Sequence, residues 1–207
     1  DNNAVKQQTM LPDAKQRGVS LKLTVQKDKL YFNLVNKTGT DSLHVLMYMY
    51  QKVFYKTNLA VLAAEPFTGM VPLTALPSGT MQLTVFDANW KPVAERVAFI
   101  NNNNFTINAA INSKEISTQK RGKNTLEILV ADTIPANMSL SISDADMNGD
   151  MTSNTIVSDF LLKGDLKGYI HNPAFYFANN SDATLKTKLD LVMLTHGWRR
   201  YNWAELV

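Results

Sequence analysis

The sequence predicts a mostly β chain: two β-sandwiches in tandem, with one or two short helices toward the C-terminus. Three observations predict it. Through most of the chain apolar and polar residues alternate with a period of two. The run Asn101-Asn102-Asn103-Asn104 interrupts that rhythm, which then restarts. Two segments near the end switch to a helical period.

Residues 1–16 show no apolar period and are expected to form an extended arm or linker. The first sandwich is assigned to 17–101. In Val19-Ser20-Leu21-Lys22-Leu23-Thr24-Val25 every second residue is apolar, and Leu30, Phe32 and Leu34 repeat the pattern. The polar stretch 26–29 between them makes a hairpin. Leu43 to Tyr50 is apolar on both faces, which suits a central strand covered on both sides. Pro66, Gly69, Pro72, Pro77 and Gly79 are expected to break the next stretch into short pieces. Met81, Leu83 and Val85 alternate again, and Arg96 to Ile100 closes the unit.

The second sandwich is assigned to 102–180. Alternation resumes in Phe105, Ile107, Ala109 and Ile111, in Leu126, Ile128 and Val130, and in Met138, Leu140 and Ile142. A short helix is expected near 155–163, with Ile156, Val157, Phe160 and Leu161 on one face. The terminal segment 181–207 carries a second helix. Leu185, Leu189 and Val192 form its apolar stripe, Ser181 or Asp182 can cap its start, and Gly197 fits just past its end. Such a helix is expected to lead into a downstream domain.

Composition narrows the function classes. Hydrophobic residues make up 45% and charged residues 19%, ordinary for a globular protein. No apolar run approaches the ~18 residues that a membrane-spanning helix needs. The net charge of +3 is mild, and the densest basic cluster, Lys120, Arg121 and Lys123, reads as a solvated turn. Nucleic acid is therefore not expected as a partner. Without cysteine there can be no disulfide, thiolate metal site or cysteine nucleophile.

No catalytic constellation emerges, and the expectation is a chain that is not an enzyme and needs no cofactor. His44, His171 and His196 lack metal-ligand spacing, and His171 and His196 read as turn residues. The stretch 144–152 starts like a calcium loop, with Asp144, Asp146, Asn148 and Asp150 as candidate ligands. The match fails at its twelfth position, where Thr155 replaces the bidentate glutamate, so a polar turn is preferred and no metal is expected. Trp198, Arg199, Arg200, Tyr201 and Trp203 form the chain's most unusual cluster. It suits a ligand or partner surface, since Trp, Tyr and Arg dominate binding hot spots. It equally suits an anchor that locks the terminal helix onto a sheet. A carbohydrate-binding role would need aromatic rings in a row, with Trp90, Tyr169, Phe175, Tyr176 and Trp203 as candidates.

Several runs resemble a known family. They are Leu76-Pro77-Ser78-Gly79 with QLTVFD at 82–87, PVAERVAF at 92–99, LSISD at 140–144, LLKGDLKGYI at 161–170, NPAFYF at 172–177 and LDLVMLTHGWRRYNW at 189–203. Together they resemble Bacteroidetes outer-membrane proteins of the TonB-dependent receptor type that carry macroglobulin-like domains. The resemblance implies immunoglobulin-like (macroglobulin-like) sandwiches, export to the outer membrane or periplasm, and a part in nutrient binding or uptake. It implies as partners a downstream plug and barrel or another envelope protein, with a glycan or other nutrient as ligand. It brings no catalytic residues. It also makes 144–152 a strand end and loop. A standalone carbohydrate-binding sandwich is the alternative.

Overall fold

The structure, a computed structural model, describes residues 10, 13, 15–61, 65–130, 135, 137–142, 153–179 and 182–196. Strand accounts for 43% of them and helix for 16%, so the chain is mostly β as expected. The strands are β1 (Val19–Gln26), β2 (Lys29–Asn36), β3 (Ser42–Met49), β4 (Lys52–Ala60), β5 (Pro66–Pro72), β6 (Gly79–Phe86), β7 (Pro92–Ile100), β8 (Ala109–Glu115) and β9 (Thr125–Val130). Two helices follow, α1 (Ile156–Leu161) and α2 (Ala183–Thr195), with 3-10 turns at Lys163–Asp165 and Pro173–Phe177.

Strands β1-β2-β5 form one antiparallel sheet and β4-β3-β6-β7 another, while β8 and β9 form a separate hairpin. The two-residue period explains the first two sheets. Leu30, Phe32 and Leu34 of β2, Leu43, Val45 and Met47 of β3, and Met81, Leu83 and Val85 of β6 are buried in one cluster drawn from both sheets. At about 25 cal/mol per Å² of apolar surface, such alternation supplies the main driving force for stacking them.

Two turns set the register. The expected hairpin at 26–29 closes through Lys27-Asp28, with Lys27 at φ 51°. Tyr50 and Gln51, at φ 48° and 64°, close the β3–β4 hairpin as the primed turns do. Contrary to the expectation of short pieces, 66–72 is one continuous strand. It lies at a sheet edge, where prolines at its ends need no ladder partner.

Strand β6 is buried along its whole length, not on alternate residues. A layer that the alternation could not announce packs on the outer face of β7 and reaches the start of β6. Leu162, Leu166, Ile170, Leu189, Val192 and Met193 form a second buried cluster with Val97 of β7, and Thr80 Oγ1 donates to the Leu161 carbonyl at 3.2 Å. Phe105, expected to start a strand, instead sets its ring edge-on to Phe177, which does the same to Phe99. The Arg96–Asp190 ion pair at 2.9 Å further ties α2 to β7.

This layer leaves one buried donor unmatched: Gln82 Nε2 has no hydrogen-bond partner. Removing an unmatched buried amide while keeping its shape recovers the desolvation cost. Gln82→Met should therefore leave stability unchanged or raise it by up to about 1 kcal/mol, read from urea denaturation. A loss above that size would show that the amide is needed.

Helix α2 bears out one predicted cap and helix α1 corrects one face; Ser181 and Gly197, the other predicted caps, lie outside the described residues. Asp182 caps α2, its Oδ1 accepting from Thr184 N at 2.7 Å, and Leu185, Leu189 and Val192 are buried as expected. In α1 the expected stripe is overturned: Ile156 and Phe160 face solvent and Ser158 is buried. A reciprocal capping box between Thr155 and Ser158 turns that serine inward, and Leu162, just past the helix, enters the core.

The second block also differs from expectation. Among the described residues it forms only the β8–β9 hairpin, starting at Ala109, and no second pair of stacked sheets. Met138–Ile142 forms no strand, and Met138, Leu140 and Ile142 stay exposed.

Candidate functional site

A tight excursion of the chain builds the site. Gly168 at φ 95° and Asn172 at φ 44° adopt left-handed conformations on either side of Tyr169-Ile170-His171. Ile170 is buried in the helical layer, while Tyr169 is left 82% exposed. Pro173 then starts the 3-10 turn that carries Phe175 and Tyr176, their rings edge to face at 5.5 Å. Helix α2 supplies Val192 and, at its C-cap, His196.

Tyr169, Ile170, His171, Asn172, Phe175, Tyr176, Val192 and His196 together line an open cleft of about 500 Å³. Its geometry is fixed by polar bonds at the rim. His196 Nε2–H donates to the Tyr169 carbonyl at 3.2 Å, and His196 Nδ1 lies 2.9 Å from Thr195 Oγ1. The Tyr169 hydroxyl stands 3.5 Å from His171 Nδ1. The Lys188 ammonium lies 5.0 Å from the centre of the Phe175 ring, within cation–π range.

Chemically, this is a set of half-exposed ring faces edged by an amide, two imidazoles and phenol hydroxyls. Apolar lining with a few convergent polar groups is the ordinary composition of a small-molecule site. Among the described residues, the cleft lining places no carboxylate beside the two imidazoles. Among the described residues, no group of three histidine, aspartate or glutamate side chains is placed to hold a metal ion.

The sequence-predicted candidates separate into three groups. Tyr169, Phe175 and Tyr176 come together in the cleft. Trp90 lies apart on the four-stranded sheet, stacked on His44 at 4.1 Å. Trp198, Arg199, Arg200, Tyr201 and Trp203 lie outside the described residues, as do Asp144, Asp146, Asn148 and Asp150. Sequence reasoning missed that His171 and His196 line one cleft. No local spacing encodes it; their positions beside a left-handed residue and at a helix end were the only signals.

Fold and site thus define a mostly β chain whose helical outer layer carries an aromatic cleft. No family model matches the sequence, and no curated protein matches it.

Proposed function

We propose that this chain is a non-catalytic binding module of an exported, envelope-associated protein, and that its cleft holds a glycan as the nutrient ligand. The observation that carries the reading is the convergence of Tyr169, Phe175 and Tyr176 in one open cleft of about 500 Å³. Aromatic faces bury the C–H faces of sugar rings, while Asn172 and the imidazoles can meet hydroxyls.

We read the two stacked sheets as an immunoglobulin-like sandwich of the macroglobulin-like kind. The strand order supports this: β1-β2-β5 faces β4-β3-β6-β7, with the fourth strand carried on the second sheet. The resemblance to outer-membrane proteins of the TonB-dependent receptor type supports the cell-envelope setting and a plug, barrel or other envelope protein as partner. Its most specific runs, 161–170, 172–177 and 189–203, also supply most of the cleft. No helix among the described residues is long and apolar enough to cross a membrane.

The test is calorimetric titration with a panel of neutral oligosaccharides. The native chain should bind at least one of them. Tyr169→Ala and Phe175→Ala should each weaken that binding about tenfold or more, at the 1–3 kcal/mol a stacked ring is worth, without lowering Tm. Silence across the panel, or undiminished binding by both variants, would refute the reading.

A further inference from the structure

The outer face of the β4-β3-β6 sheet carries a second aromatic feature, at the end away from the helical layer. The turn after β6 is closed by Asp87, whose Oδ1 accepts from the backbone N–H groups of Asn89 (2.9 Å) and Lys91 (3.0 Å). The turn forces Trp90 to φ 62°. A bulky residue in the left-handed region costs on the order of 1 kcal/mol, and such strain persists where the surroundings over-determine it. Glycine or asparagine would relax the backbone here, so turn geometry does not explain the tryptophan.

What the strain achieves is placement of the indole. The ring lies parallel to His44, with 4.1 Å between centroids and 5° between planes, and tilts against Phe86 at 5.7 Å. His44 is itself oriented, its Nδ1–H donating to Asn58 Oδ1 at 2.6 Å. The imidazole is thus a fixed backing for the indole. Even so, 40% of Trp90 remains open to solvent. The Lys56 ammonium stands 5.0 Å from the ring centroid, and among the described residues Lys56 forms no ion pair. The carboxylate nearest Trp90 in the chain, that of Asp87, is committed to the turn.

We propose that Trp90, His44 and Lys56 form a second binding site, distinct from the cleft, for an acidic sugar residue. The indole takes the apolar face of the pyranose, and Lys56 takes its carboxylate. A backed flat ring and an unpaired cation a few ångströms apart match the two features that distinguish a uronic acid from a neutral hexose. A free carboxylate lacks the stacking face, and a neutral sugar lacks the charge.

The experiment titrates the whole chain with a trigalacturonate and, in parallel, with neutral galactotriose and with acetate. Trigalacturonate should bind more tightly than galactotriose, and acetate should give no measurable heat. Lys56→Gln should lower the affinity for trigalacturonate about three- to fivefold, the range of an exposed ion pair, and leave galactotriose unaffected. Trp90→Ala should abolish binding of trigalacturonate, and Trp90→Phe, which keeps a ring over His44, should retain part of it. Tyr169→Ala should leave trigalacturonate binding unchanged, which separates this site from the cleft. No binding of trigalacturonate, or equal affinity in the native chain, Lys56→Gln and Trp90→Phe, would overturn the proposal, as would loss of trigalacturonate binding in Tyr169→Ala. If Trp90→Ala fails to fold, the Lys56→Gln and Trp90→Phe arms decide.

Discussion

Replacing Phe32 by alanine should lower the unfolding free energy by about 4 kcal/mol, in the range for a fully buried aromatic side chain. The ring is 0% exposed and sits where the two sheets meet. It touches Phe67 of β5 at 6.1 Å and reaches Tyr55 of β4 at 6.4 Å, so its loss opens a cavity that neither sheet can fill alone. Phe32 also lies over Gly69, its direct partner across the β2–β5 ladder. A Cβ added at Gly69 would overlap the ring of Phe32. Gly69→Ala should therefore cost about 2–3 kcal/mol, as overpacking does. The two effects must couple: in a Phe32→Leu background the alanine at 69 should cost much less, with an interaction energy of about 1 kcal/mol or more in the cycle. Urea denaturation measures all four corners. A Phe32→Ala loss below about 1 kcal/mol, or strict additivity, would mean that the ring is not packed as described.

That pair shows what the sequence could and could not disclose. Phe32 was legible, because alternation through Leu30, Phe32 and Leu34 assigns a buried face without knowledge of the partner strand. Gly69 read only as a breaker, because its reason for being glycine is a ring 37 positions earlier in the chain. The same distinction separates the rest of the fold. The β1–β2 hairpin, the inner face of β6, and the cap and stripe of α2 rest on neighbours within a few residues, and they were readable; β3, expected to be covered on both faces, buries only alternate residues. The outer burial of Val97 depends on Leu162 and Ile170 returning to the sheet, and the cleft depends on His196 arriving beside Tyr169. Neither leaves a local period. Alternation also misled, at Phe105 and Ile107 before β8 and again further on. Met138, Leu140 and Ile142 carry a strand's pattern, yet a pattern supplies only the side chains and not the partner edge. In α1 the helical stripe was outweighed by a capping box and by a leucine just beyond the helix.

Asn102→Ala should cost about 2 kcal/mol, although its sequence context reads as linker. The run of four asparagines does end the first unit, since β7 stops at Ile100. Two of its members then do specific work on the loop between β5 and β6. Asn102 Nδ2 donates to the carbonyls of Leu73 at 2.6 Å and Leu76 at 2.8 Å, while its backbone N–H donates to Ser78 Oγ at 2.9 Å. Asn104 Oδ1 accepts from Ser78 N at 2.9 Å and from Ser78 Oγ at 2.8 Å. Leu73, Leu76 and Ser78 are all buried, so water cannot readily replace the lost amide. Two hydrogen bonds at about 1 kcal/mol each give the expected magnitude, because the Leu73 carbonyl keeps the Leu76 N–H at 2.9 Å and the Leu76 carbonyl keeps Asn104 Nδ2 at 3.0 Å. The consequences should extend to β6, because this loop also receives the Tyr50 hydroxyl on the Ser78 carbonyl and leads directly into Gly79. Hydrogen exchange should accordingly rise first at the start of β6 and at Leu73–Ser78, with the β1–β2 hairpin unaffected. Asn102→Asp supplies the chemical control. A carboxylate facing two carbonyls is destabilised, which raises its folded pKa above its unfolded value and makes the variant most stable below that unfolded value. The stability gained at acid pH is lost as pH rises through the folded pKa, so the variant should be weaker at neutral pH than at acid pH relative to the native chain. A variant whose deficit does not change with pH would show that the side chain at 102 does not face those carbonyls.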